Sequence, residues 1–135
     1  MDKDIKFKHL DYIQSVITRM NHCSFLLKGW SVTLVAALFA LAAKDADIRF
    51  ICMAYLPALA FWILDGFFLN QERRYRDLYA LVIKDNPSVP ELSMDTTTVE
   101  SIKREWVDAI FSKSLVPFHG TVLLGILLVM GIFSL

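Results

Sequence analysis

Residues 24–43, SFLLKGWSVTLVAALFALAA, and residues 50–69, FICMAYLPALAFWILDGFFL, are joined by only six residues, KDADIR at 44–49. Each run is twenty residues long, and at about 1.5 Å of rise per residue a helix of that length matches a hydrocarbon core of about 30 Å. The connection is too short to cross a bilayer, so the second run must return antiparallel to the first. The pair reads as a transmembrane helical hairpin.

Each arm carries one ionisable residue, Lys28 in the first and Asp65 in the second. The midpoint of the hairpin falls between Ala46 and Asp47, which places Lys28 and Asp65 equally far from it along the two arms. Equal distance means equal depth, and side-by-side helices at equal depth bring ammonium and carboxylate together, the usual way a charge inside a membrane is tolerated. Two roles follow for such a pair: a structural ion pair, or a site that handles ions or protons. Lys28 stands only a turn inside the boundary, where its amine can also reach the headgroups along an apolar stem, whereas Asp65 has no such reach.

The remaining chain fits around this hairpin. Of 135 residues, 56% are hydrophobic and 21% charged, too apolar for an ordinary soluble domain and too charged for a chain wholly in lipid, so the charges are segregated along it. The formal net charge of zero gives no basic surplus for nucleic acid. Cys23 and Cys52 are far apart, in no CxxC pattern, and read as small packed residues. Residues 1–23 have no signal-peptide pattern. Instead Phe7, Leu10, Ile13, Val16, Ile17 and Met20 recur at steps of three and four, an amphipathic helix that no glycine or proline separates from the first span. A single helix over about 4–43 is predicted, with Trp30 as an interfacial anchor.

Pro57 falls inside the second span and predicts a kink there. Beyond Leu69 no breaker interrupts residues 70–85, where Tyr75, Leu78, Tyr79 and Val82 form a second amphipathic stripe. Asn86-Pro87-Ser88-Val89-Pro90 opens a loop over 86–96. Thr97 with Glu100 three residues on has the form of a capping box, followed by Val99, Ile102, Trp106, Ala109 and Ile110, which predicts a third amphipathic helix over 97–114. Pro117 marks a break before the last apolar run, 115–135, the third span. On it Thr121, Gly125 and Gly131 form a small-residue surface suited to a close helix–helix contact.

Lysines and arginines crowd the segment before the first span (Lys3, Lys6, Lys8, Arg19) and the one between the second and third (Arg73, Arg74, Arg76, Lys84, Lys103, Arg104, Lys113), against Lys44 and Arg49 in the hairpin loop. Both rich segments are expected in the cytoplasm, with the N-terminus in and the C-terminus out. The expected fold is thus all-α, with three transmembrane helices and cytoplasmic amphipathic extensions that pack into a small bundle, in cis or between protomers.

No phosphate-binding loop, HExxH or GxSxG motif is present, and the histidines His9, His22 and His119 are scattered. No enzymatic activity, cofactor or metal site is expected. The stretch Leu64-Asp65-Gly66-Phe67-Phe68-Leu69-Asn70-Gln71-Glu72-Arg73, running on to Arg76-Asp77-Leu78-Tyr79, together with Phe25-Leu26-Leu27-Lys28-Gly29-Trp30, resembles a set of small bacterial multi-pass inner-membrane proteins. In these an Asp-Gly pair followed by aromatics closes a span and a Gln-Glu-Arg segment leads into a cytoplasmic helix. The resemblance covers roughly residues 10–80. A hairpin with helical cytoplasmic arms also resembles the membrane effector modules of anti-phage systems, which implies action by oligomerising and perturbing the inner membrane.

Two functions are expected. One is an oligomeric inner-membrane effector or channel, in which three spans enclose no path alone and Lys28, Ser31, Asp65 and His119 are the candidate lining. The other is a non-conducting accessory protein whose cytoplasmic helices dock a separate protein partner. Both have the lipid bilayer as their surroundings, and the first requires a homo-oligomer.

Overall fold

The computed structural model describes residues 2–97, 102 and 104–135. Among these, every regular element is helical: α1 (Lys3–Asp45), α2 (Ile48–Met53), α3 (Tyr55–Ile83), α4 (Trp106–Ile110) and α5 (Val116–Ser134). Three stretches are long and apolar enough to cross a membrane, namely α1, the α2–α3 pair and α5.

The first helix needs no internal stop because its sequence offers none. Asp2 accepts from the Asp4 backbone N–H at its start, and at its end Ala46 turns into the left-handed region with φ 52°. Its 43 residues correspond to about 65 Å, twice the thickness of a bilayer's hydrocarbon core, so its apolar half alone is long enough to cross one. Asp47 then caps α2 by accepting from the Arg49 N–H, which reverses the chain within the predicted connection.

Pro57 acts one turn before its own position. It has no N–H to offer the carbonyl of Met53, and the helix divides at Ala54, whose own N–H bonds the carbonyl of Ile51 in a tighter turn. Pro57→Ala is expected to fuse α2 and α3 into one helix and to stabilise the protein by up to about 3 kcal/mol. Slow amide exchange at the new residue 57 N–H would register the fusion, and rapid exchange there would mean that packing, not proline, sets the break.

α1 and α3 pack antiparallel along their length and bury two apolar clusters, one at each end. Near the hairpin turn, Val35, Ala42, Ile51, Ala54, Ala58 and Ile126 are buried, so α5 joins this cluster through Ile126. At the other end Ile13 and Ile17 of α1 meet Leu78 and Val82 of α3, closed over by Val89 and Ile102. Both amphipathic stripes are thus buried within the chain at their centres, with Phe7 at the start of the first left exposed, and the loop is tied down by polar contacts. His9 Nε2 donates to the Ser93 carbonyl at 2.6 Å, and Lys6 bonds the Ile83 carbonyl and Asp85.

The helix expected over 97–114 is corrected. Glu100, half of the proposed capping box, lies outside the described residues, but Ile102, Arg104 and Glu105 are non-helical and α4 spans only Trp106–Ile110. Thr97, the other half, is bonded to the residue two before it. Its hydroxyl and its backbone N–H both donate to Asp95 Oδ1, a local side-chain turn that competes with helix initiation. These bonds hold the Asp95 carboxyl below the usual carboxylate range, so the turn's contribution is complete at neutral pH and is lost only as pH falls through that lowered value. Further on, Arg104 pairs with Asp77 of α3 at 2.8 Å, and Glu105 after it is extended, with φ −104° and ψ 141°. Pro117 enters the first turn of α5, where a missing N–H costs nothing.

Candidate functional site

Between the two apolar clusters, the three long helices meet at one carboxylate. Asp65 is fully buried on α3, and α1 presents Ser24 and Lys28 to it, four residues apart and therefore on one face. Lys28 Nζ lies 2.7 Å from Asp65 Oδ2 and donates to Ser24 Oγ at 2.8 Å, while Ser24 Oγ donates to Asp65 Oδ1. These bonds close a ring in which the serine passes one hydrogen bond from lysine to carboxylate. From α5, His119 Nε2 donates to the same Asp65 Oδ2 at 2.8 Å. One side chain thereby ties together helices from three separate parts of the sequence.

Aromatic rings enclose the histidine. Trp62, one turn before Asp65, stacks on His119 with ring centroids 5.7 Å apart and planes 6° from parallel, and Phe118 meets it edge-on at 5.1 Å. The ammonium of Lys28 sits 5.9 Å from the Phe118 ring centroid, within cation–π range. Trp62 is itself held by α4, because its Nε1 donates to the Ile110 carbonyl at 2.9 Å; in exchange Trp106 Nε1 donates to the Ile63 carbonyl at 3.0 Å. These bonds are possible because α4 crosses α3 directly over Gly66.

The cluster is closed to its surroundings at every member except one. Asp65 and His119 side chains are 0% and 1% exposed, whereas Lys28 keeps 25%. His119 Nδ1 is buried with no partner, so the ring is bonded at one of its two nitrogens only. Ser31, one turn beyond Lys28 on the same face of α1, is also fully buried with an unpartnered hydroxyl. Hydrogen bonding is therefore nearly closed within the protomer: an amine, a carboxylate and an imidazole in an apolar surround.

The structure thus brings Lys28, Asp65 and His119 together and places Ser31 on the same inward face without a hydrogen bond to them. All four face the inside of the protomer rather than its perimeter. Ser24, Trp62 and Phe118 are additions that the sequence reading did not single out. For Ser24 the signal is present in the sequence, since a hydroxyl four residues before a lysine shares its helix face. Thr121, Gly125 and Gly131 have no internal role. Thr121 bonds its own helix at Pro117, and a Cβ at either glycine would meet nothing within 4 Å. Among the described residues no three His, Cys, Asp or Glu side chains converge as a metal site would require.

Compared with protein families, with curated proteins and with solved structures, the chain has no match.

Proposed function

We propose that the protein is an oligomeric effector or channel of the bacterial inner membrane that permeabilises the bilayer, with its N-terminus in the cytoplasm and its C-terminus outside. The setting implied by the resemblance of residues 10–80 is anti-phage defence. The observation that carries the reading is the buried Lys28–Asp65–His119 cluster, because ionisable groups are costly at membrane depth and are retained there chiefly where they serve ions or switching. An oligomer that conducts past these residues must part α1, α3 and α5 at Asp65, so the cluster acts as the latch of a closed state. The accessory reading is less favoured for a specific reason: the stripes it would use for docking are buried in cis by Ile13, Ile17, Leu78 and Val82.

Two measurements bear on this reading. Reporters fused after Leu135 and inserted after exposed Glu91 should behave as periplasmic and cytoplasmic respectively, and both on one side would refute three crossings. The purified protein in mild detergent should run as a ring of several copies, whereas a monomer or dimer would favour the accessory role. Gly125→Leu should reduce that assembly, since nothing within the protomer opposes a larger side chain's Cβ there and the close approach of a second helix would be lost. Unchanged size would remove α5 from the contact.

A further inference from the structure

We infer that α4 and the turn after it form an in-plane membrane helix, with its apolar strip seated in the lipid of the leaflet nearest the chain's N-terminal half. Three observations meet here. First, α4 is fixed in depth by α3: Ile110 packs on Gly66 and Trp106 bonds the carbonyl of Ile63. Gly66 and Ile63 lie three and six residues inside the end of the apolar run at Leu69, or about 5 and 9 Å at helical rise. An amphipathic helix lying in an interface is buried by about the same depth, roughly 5 to 10 Å.

Second, the outward surface of this segment is apolar. Val107 and Phe111, four residues apart and so on one face, are 59% and 67% exposed, and Trp106 is 43% exposed beside them. A patch of this kind facing water is a liability in a protein, but a tryptophan flanking it is characteristic of the lipid–water boundary. Third, the patch is continuous with the lipid-facing side of a span. Leu59 and Ile63 of α3 are both nearly half exposed, and together with Trp62, Ile110 and Phe111 they line an open apolar groove between the two helices. The occupant this geometry fits is a lipid acyl chain. Asp108, exposed and about 100° further round the helix than Val107, marks the headgroup side. The segment that the sequence pattern assigned to a cytoplasmic bundle is in this way a membrane element that roofs the Asp65 cluster through Trp62.

The inference rests on α3 crossing a bilayer, and its test separates the two. In a Cys23→Ser, Cys52→Ser background, spin labels are placed at Val107→Cys and Phe111→Cys, with references at Leu64→Cys on the exposed face of α3 and Glu91→Cys in the loop. The full chain is reconstituted in phosphatidylethanolamine–phosphatidylglycerol vesicles, and label relaxation by oxygen and by a water-soluble nickel chelate is compared. Labels at 107 and 111 that match 64, oxygen-accessible and protected from nickel, support an in-plane helix. Nickel access equal to that of 91 would place α4 in water, and protection from both reagents would put protein rather than lipid over it; either result overturns the inference. Nickel access at 64 itself would show that the span reading had failed first.

Discussion

Asp65→Ala is expected to cost roughly 3 to 5 kcal/mol of stability, because it strands a charge and two hydrogen-bond donors at once. Lys28 Nζ, His119 Nε2 and Ser24 Oγ all direct a bond to this carboxylate. Lys28 can recover part of the loss by swinging along its stem toward the headgroups, since it is already 25% exposed. His119 has no such exit. The rescue experiment follows from that asymmetry. Exchanging the pair as Lys28→Asp with Asp65→Lys restores the lysine–carboxylate contact but confronts buried His119 with an ammonium, so recovery should be partial. Replacing Lys28 and Asp65 by Met and Leu leaves His119 without an acceptor, and full recovery should come only when His119→Leu is added. Thermal unfolding in detergent across this series measures the coupling, and additive effects of the single substitutions would show that the groups do not act together.

Gly66→Val should dislodge α4. A Cβ at this position would stand 2.4 Å from Ile110 Cγ1, 3.2 Å from its Cα and 3.3 Å from its backbone nitrogen. The side-chain atom can rotate away, but the backbone atoms can be relieved only by lifting the helix. Overpacking of this order costs about 1 to 3 kcal/mol, and the shift also stretches the two reciprocal tryptophan bonds, Trp62 to Ile110 and Trp106 to Ile63. Faster amide exchange over 106–110 and a changed tryptophan emission are the expected readouts. Ile110→Ala in the same background should restore part of the packing by removing the closest atom, whereas exchange at wild-type rates in Gly66→Val alone would contradict the crossing of α4 over Gly66.

The long helices and the meeting of Lys28 with Asp65 were legible because both depend on local period and on symmetry about a short loop. A connection as brief as 44–49 leaves the second arm one direction to take, and residues equidistant from its midpoint have little choice of neighbour. In the sequence His119 stands out as a polar residue of the last apolar run, but its partner does not. The clue was positional: α5 enters at the same end as Asp65 and carries its histidine within the first turn. The helix expected over 97–114 shrinks to Trp106–Ile110 because Trp106 and Ile110, which fit one face of a long helix by spacing, are held instead by tertiary contacts to α3, at Ile63 and Phe67 and at Trp62 and Gly66. In the sequence Gly66 is only one member of the Asp-Gly-aromatic stretch. Its requirement for zero side chain comes from Ile110, forty-four residues away, a tertiary fact that no local pattern encodes.

Ion release from sealed phosphatidylethanolamine–phosphatidylglycerol vesicles is the most direct test of a permeabilising protein latched at Asp65. Inserted, oligomeric wild-type protein should hold a low basal leak, and Asp65→Asn, which keeps the shape of the side chain but loses its charge, should raise the leak at least several-fold by freeing α5 from α1 and α3. Vesicles that stay tight with both proteins, at densities where insertion and assembly have been verified, would contradict the account.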